Sequence, residues 1–305
     1  MKPNRPSVVD RLGGPVVVFG VLGLLVGAAV APSAWNAATG PDGTVAVIEV
    51  HGTITGDTAA AAVADLREAR KNDSIRAVTL DINSPGGTAA ASEQLYLAVK
   101  RTQQTMPVVV SVTGMAASGG YYAAAPADRI FVTPASSVGS VGVRATMPSQ
   151  GTVSGEIATG PDKGSTATEA EIRRRVETLR RAFVGSVLAE RGDALELTAE
   201  ELSYAKLYAG SRGIEVGLAD EVGALDAAIA AAADRANLSD YRTVRMESPT
   251  PSLLGQLGLR GSADGSATGT VVASPRVDTV RYLMLHGRLV QPTAGTREVT
   301  ANATH

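Results

Sequence analysis

Ser118 has the setting of a nucleophile. It lies in Gly114-Met-Ala-Ala-Ser-Gly-Gly-Tyr-Tyr122, just after Pro107-Val-Val-Val-Ser-Val112, a β-branched run that predicts a buried strand. The small residues Ala123 to Ala127 beyond it can start a helix. A strand, a turn of small residues and a helix put the Ser118 hydroxyl at a helix N-terminus. Backbone N–H groups are free there, and the dipole favours a developing negative charge. That geometry suits a nucleophile beside an oxyanion site. The plainer reading is a small residue in a tight turn, and the rest of the chain has to decide between them.

A serine needs a base. The chain has three histidines: His51 ends the first predicted strand, His286 lies in the tail and His305 is terminal. None follows Ser118 within the predicted folded region, so a Ser-His-Asp triad is awkward. Lysine is the other choice, provided burial lowers its pKa toward neutrality. Only five of the 28 basic residues are lysine, and between Arg101 and Ala205 the sole one is Lys163, in Gly160-Pro-Asp-Lys-Gly-Ser165. It is a candidate base, or an ordinary loop lysine. Acyl transfer also needs oxyanion donors. Asn83-Ser-Pro-Gly-Gly87 closes a predicted strand, and its glycines let backbone approach a ligand closely. One N–H from Gly86 or Gly87 and one from Gly119 could hold a carbonyl oxygen. The Gly139-Ser-Val-Gly142 turn is a further candidate wall of the cleft.

Composition narrows the classes. A formal net charge of −2 gives no electrostatic case for nucleic acid. Without cysteine there is no disulfide, thiolate zinc site or cysteine nucleophile, and three scattered histidines give no pattern of a multi-histidine metal site. No metal or organic cofactor is expected. Hydrophobic content of 44% supports a core, but with only 4% aromatics that core must be mostly Ala, Val, Leu and Ile.

From Leu12 to Pro41 no residue is charged. As a helix, Pro15 to Trp35 would span about 30 Å, the thickness of a bilayer core. Lys2, Arg5 and Arg11 precede it, and no Lys or Arg follows until Arg67. The positive-inside rule then puts the N-terminus in the cytoplasm and the main domain outside the cell membrane. The rival reading is a cleaved signal peptide with Ala29-Val-Ala31 as the site, which Pro32 directly after it disfavours. The expected organisation is a cytoplasmic N-terminus over 1–12, a transmembrane anchor over 13–35, a linker over 36–43 and a catalytic domain over 44–247. A flexible tail over 248–305 follows, with an apolar segment at 281–290 whose character makes it a candidate to dock in or near the cleft.

Within the domain the pattern predicts strands at 44–50, 76–82, 108–112 and 129–133. Helices are predicted over 58–71, 89–104, 169–191, 198–209 and 225–236. In the first, Ala62, Leu66 and Ala69 share a face; in the second, Leu95, Leu97 and Val99 are available for packing. In the third, Ile172, Val176, Leu179, Phe183 and Val187 recur at helical spacing. Its arginines, Arg173, Arg174, Arg180 and Arg181, suit a solvated or intersubunit face. Thr198 and Glu201 have capping-box spacing. Strands alternating with helices argue for parallel βαβ units.

Three segments in this order resemble the signal peptide peptidase A family of serine proteases. They are Ile82-Asn-Ser-Pro-Gly-Gly87, Gly114 to Tyr122, and Ser137-Val-Gly-Ser-Val-Gly-Val143. Val47 to Thr53 is similar to the family's first strand, and Gly217-Leu-Ala-Asp-Glu-Val-Gly223 to its closing motif. The resemblance spans roughly Thr44 to Ala230. It implies an α/β ClpP/crotonase-like fold of stacked βαβ units and a Ser–Lys dyad, with Ser118 as nucleophile and Lys163 matching the family lysine in part. Asp162 stands where the family has an aromatic, and the usual Ser-Pro after the lysine is absent. The resemblance further implies released signal peptides or short apolar peptides as substrates, and ring-like homo-oligomers. Two alternatives stay open: a catalytically silent membrane scaffold of the same fold, and a ClpP-class protease specific for one membrane protein.

Overall fold

The computed structural model describes residues 40–146, 168–246 and 281–286. The expected membrane segment, Lys163 and most of the expected tail lie outside these residues. Among the described residues no helix is long and apolar enough to cross a membrane.

Four strands build the centre of the main sheet: β1 (Gly43–His51), β2 (Ile75–Ser84), β4 (Val108–Ala117) and β5 (Arg129–Val132). All three pairings between them are parallel. β10 (Tyr241–Met246) extends the sheet beside β1, and β9 (Glu221–Val222) lies beside β5, again in parallel. A parallel sheet is covered on both faces, so its strands are apolar nearly throughout. β1 alternates accordingly: Val45 packs with Ala77, Val109 and Phe131 on one face, while Ala46 and Ile48 join the cluster on the other.

Helices supply the two covers. On one face, α7 (Leu225–Arg235) lays Ala228, Ala232 and Ala233 on the sheet, where small side chains allow a close approach. On the other face lie α1 (Gly56–Lys71) and α2 (Ala89–Gln103). Ala62, Leu66 and Ala69 of α1 are buried, as their spacing predicts. Each fully buried Leu or Ile here, such as Leu66, Leu80 or Ile82, contributes about 1.5–3 kcal/mol relative to exposure. α3 (Gly119–Ala124) follows β4 and is buried along its whole length, and α4 (Glu169–Arg191) packs over it. Capping boxes open α1 at Thr55, α4 at Thr168 and α5 (Ala199–Ser203) at Thr198.

Three local expectations need correction. The helix expected over 198–209 stops after Ser203. Ala205 takes φ +53°, and β8 (Leu207–Ala209) pairs antiparallel with β6 (Ser137–Gly139). Leu97 is not a packing residue; it is 57% exposed on the outer side of α2. β4 runs past Val112 to Ala117, because its second half pairs with β6. The last short helix, α6 (Gly210–Glu215), follows β8 directly.

A second, small sheet sits over the C-terminal ends of the main strands. Its middle strand is β11 (Arg281–Leu285), flanked antiparallel by β3 (Gly86–Thr88) and β7 (Arg144–Thr146).

Candidate active site

Ser118 stands between β4 and α3 with φ +53° and ψ −116°, a conformation that L-residues rarely adopt. Its surroundings hold it there. Its N–H donates to the Gly139 carbonyl (2.8 Å), and its own carbonyl accepts the Tyr122 N–H (2.8 Å), the first bond of α3. The hydroxyl makes no capping bond to α3; it reaches the Gly142 carbonyl at 3.4 Å, a long and weak contact. A side chain that neither caps its helix nor makes a short hydrogen bond is available for chemistry.

The two glycines after Ser118 are required by space. A Cβ at Gly119 would collide with Ser92, and one at Gly120 would lie 2.7 Å from the Ser84 carbonyl oxygen. The turn can therefore sit against β2 and α2 only without side chains. Tyr121 and Tyr122 then anchor it from below. The Tyr121 hydroxyl donates to the Leu218 carbonyl (2.9 Å), and burial pushes its pKa up, so it stays neutral. Tyr122 stacks on Tyr96 at 4.4 Å and lies 4.5 Å from the Phe183 ring, which ties the turn to α2 and α4.

Opposite Ser118, β3 carries Gly86 and Gly87. Gly86 has φ +96°, and its N–H donates to the Ser84 hydroxyl at 3.1 Å. That hydroxyl in turn donates to the Gly52 carbonyl at 2.6 Å. On its other side β3 is tied to Ile54: the Ile54 N–H donates to the Gly86 carbonyl (2.9 Å), and the Thr88 N–H donates to the Ile54 carbonyl (3.0 Å). Strand alternation then turns the Gly87 N–H away from Ile54, toward β11. Of the two β3 glycines named as oxyanion donors, Gly87 is thus the one aimed across the cleft, with Gly119 on the other bank.

β11 fills that cleft. Met284 pairs with Gly87, and its carbonyl oxygen lies where a Cβ on Gly86 would collide with it and 3.0 Å from where one on Gly119 would be. Ser118 is 2% exposed. The apolar segment expected in the tail therefore enters the cleft as a strand over 281–285. Hydropathy marked that segment as apolar; its pairing partners had no signal in the sequence.

The histidines have other partners. His51 Nε2 lies 3.4 Å from the buried Asp81 carboxylate, and Asp81 also accepts the Thr113 hydroxyl at 2.9 Å. His286 Nδ1 is 3.0 Å from the Ser140 hydroxyl. His305 lies outside the described residues, as does Lys163. Of the other lysines that are described, Lys100 pairs with Glu190 on the far side of the tyrosine stack, and Lys206 lies over the Tyr204 ring at 5.6 Å.

An internal ion pair missed by the sequence reading secures the back of the site. Arg191 at the end of α4 is buried and forks onto Asp220, at 2.8 and 3.1 Å, and onto the Gly217 carbonyl at 3.2 Å. Asp220 also accepts the Ile130 N–H at 2.7 Å. Burial opposes the Arg191 charge, and the Asp220 carboxylate outweighs it, so its pKa is raised.

Residues 100–153, which include Ser118, match the family described as peptidase family S49. Protease 4 of Salmonella typhi is 31% identical over 223 residues, covering 65% of this chain and 36% of its own length. A putative protease of Methanocaldococcus jannaschii is 34% identical over 194 residues, covering 59% of this chain and 62% of its own. The chain thus spans between about a third and two thirds of the length of these relatives. Among solved structures, a mutant of the 1510-N membrane-bound stomatin-specific protease superposes with a TM-score of 0.51 at 18% identity, covering 68% of this chain and 99% of that one. The family resemblance expected from the sequence is met, and so is an α/β fold built on a parallel sheet.

Proposed function

We propose that this chain, with its S49-like serine segment on a ClpP-like α/β fold, is a membrane-anchored serine endopeptidase in which Ser118 is the nucleophile. One observation carries the reading. Ser118 occupies a strained strand–helix turn whose hydroxyl is free of strong bonds, and the carbonyl of Met284, paired with Gly87, lies against the neighbouring Gly119.

Lys163 is the proposed base. Its support is the resemblance, which puts a lysine ahead of the long helix, and the shortage of other bases in this part of the chain. Neutral Lys163 takes the Ser118 proton as Oγ attacks the peptide carbonyl carbon. The oxyanion is held by the Gly87 and Gly119 N–H groups. Lys163 passes the proton to the leaving amine, then activates the water that hydrolyses the ester. No metal or organic cofactor enters this scheme.

The uncharged stretch from Leu12 to Pro41, with basic residues ahead of it, supports a single-pass anchor with the catalytic domain outside the cytoplasm. An anchored groove that accepts extended chain suits short apolar peptides near the bilayer, released signal peptides among them. Ring-like homo-oligomers complete the proposal, with the arginine-faced side of α4 as a contact surface.

The test is cleavage of an apolar signal-peptide-like substrate by the full chain in detergent. Ser118→Ala and Lys163→Arg are each expected to lower kcat by at least about 10³-fold with the fold intact. Loss in Ser118→Ala alone would keep the protease and reject Lys163. Undiminished cleavage by Ser118→Ala would end the proposal.

A further inference from the structure

We infer that Arg144 is a specificity residue of the groove: it receives an acidic side chain of a bound peptide, at the place that Leu283 holds in β11. The inference rests on the serine-peptidase reading above and narrows its substrates to apolar peptides that carry a carboxylate at that place.

Arg144 opens β7, one wall of the groove. Its Nε and Nη2 atoms are both buried, and neither has a hydrogen-bond partner among the described residues. Taking a guanidinium out of water is costly, and the cost is offset only when an acceptor, best of all a carboxylate, receives its N–H groups. Two other arginines near the site have partners already. Arg191 forks onto Asp220, and the Arg175 guanidinium lies 4.9 Å from the Tyr282 ring. Arg144 keeps two donors unused.

The register fixes what Arg144 faces. Leu283 is directly opposite Arg144 on one side and directly opposite Thr88 on the other. Residues opposite each other in an antiparallel pair project from the same face, with Cβ atoms about 4.5–5.5 Å apart. Thr88, Leu283 and Arg144 therefore form one row across the small sheet. Strand alternation turns Tyr282 and Met284 to the other face, where both pack on the apolar core. Leu283 is buried and offers the guanidinium no acceptor. A Glu or Asp in its place would.

The far end of the row favours the same ligand. Thr88 is the N-cap of α2, and its hydroxyl oxygen accepts the Ala91 N–H at 3.4 Å. A hydroxyl that accepts still has its proton to donate. The first turn of α2 holds no acidic residue to answer the positive end of the helix dipole. A carboxylate in this place would meet the guanidinium on one side, and the Thr88 hydroxyl with the start of α2 on the other. All three favour negative charge, so the same place disfavours Lys or Arg.

The test has two arms, both on the full chain in detergent. The first uses the Ser118→Ala background, where no cleavage intervenes, and follows hydrogen exchange of the 281–286 amides with and without Leu283→Glu. The effect of Leu283→Glu is expected to differ at least about tenfold between chains with Arg144 and chains with Arg144→Met, exchange being slower where Arg144 is present. An equal effect in both overturns the inference. The second arm is hydrolysis of two peptides, one carrying Tyr-Glu-Met and the other Tyr-Leu-Met. Wild type is expected to favour the first by at least about tenfold in kcat/KM, and Arg144→Met to lose that ratio. Hydrolysis of both without preference, or a preference that survives Arg144→Met, overturns the inference and leaves the peptidase reading standing. Hydrolysis of neither, with the exchange coupling present, overturns the peptidase reading and leaves Arg144 as a carboxylate-binding group.

Discussion

Gly119→Ala tests whether the serine turn is shaped by packing against α2. The added Cβ would stand 2.9 Å from the Ser92 Cβ and collide with its hydroxyl oxygen. Carbon atoms normally touch at about 3.5–4.0 Å, so the overlap is roughly 0.6–1 Å. Ser92 is fully buried and its hydroxyl donates to the Thr88 carbonyl at 2.9 Å, so it has little room to yield. Overpacking of this kind costs about 1–3 kcal/mol. Turning the Ser92 hydroxyl aside leaves the Cβ conflict in place, so only Ser92→Gly removes it. Alone, Ser92→Gly costs about 0.5–1 kcal/mol for a glycine in a helix and about 0.5–1.5 kcal/mol for the lost hydrogen bond. If the clash is the cause, the double variant is no less stable than Ser92→Gly, and the coupling is about 1–3 kcal/mol. Denaturant midpoints of the four proteins measure it. Activity separates a second effect. The new Cβ also lies 3.0 Å from the Met284 carbonyl oxygen, where a substrate carbonyl would sit, so the double variant regains stability but not peptide hydrolysis. Gly119→Ala within about 0.5 kcal/mol of wild type, or strictly additive costs, would refute the packing argument.

Two further outcomes concern the frame. Arg191→Met leaves the Asp220 carboxylate without its main partner in a largely buried setting, and is expected to cost about 3–5 kcal/mol in denaturant unfolding. A loss under about 1 kcal/mol would show the pair to be dispensable. Glu177 on α4 is held by Arg180 and then Arg181, each at 2.7 Å, and its pKa falls from 4.5 to about 2. A depressed carboxylate adds stability that is fully present above the unfolded value and is lost as pH falls through the folded one. The stability gap between wild type and Glu177→Gln should therefore close between about pH 4.5 and pH 2. A gap unchanged across that window would contradict the pairing.

Local chemistry made much of this protein legible in its residues. Alternation of β-branched runs with helical spacing announced the parallel layers, because sheets buried on both faces demand apolar strands. Small residues around Ser118 announced a sharp turn, and the capping spacing of Thr198 and Glu201 placed a helix start where one is found. Such features depend on neighbours a few places away, and the sequence holds them whole. Tertiary structure decided what depends on distant partners. The stretch after Ser203 had the composition of a helix, but pairing of β8 with β6 made it a strand. Arg191 looked like one arginine among many until the fold brought Asp220 to it and buried the pair. The tail was legible as an apolar segment able to dock in or near the cleft, and no more. Its register across β3 and β7 rests on main-chain hydrogen bonds, which every residue but proline can make, so no side-chain pattern could have shown which carbonyl would lie beside Ser118.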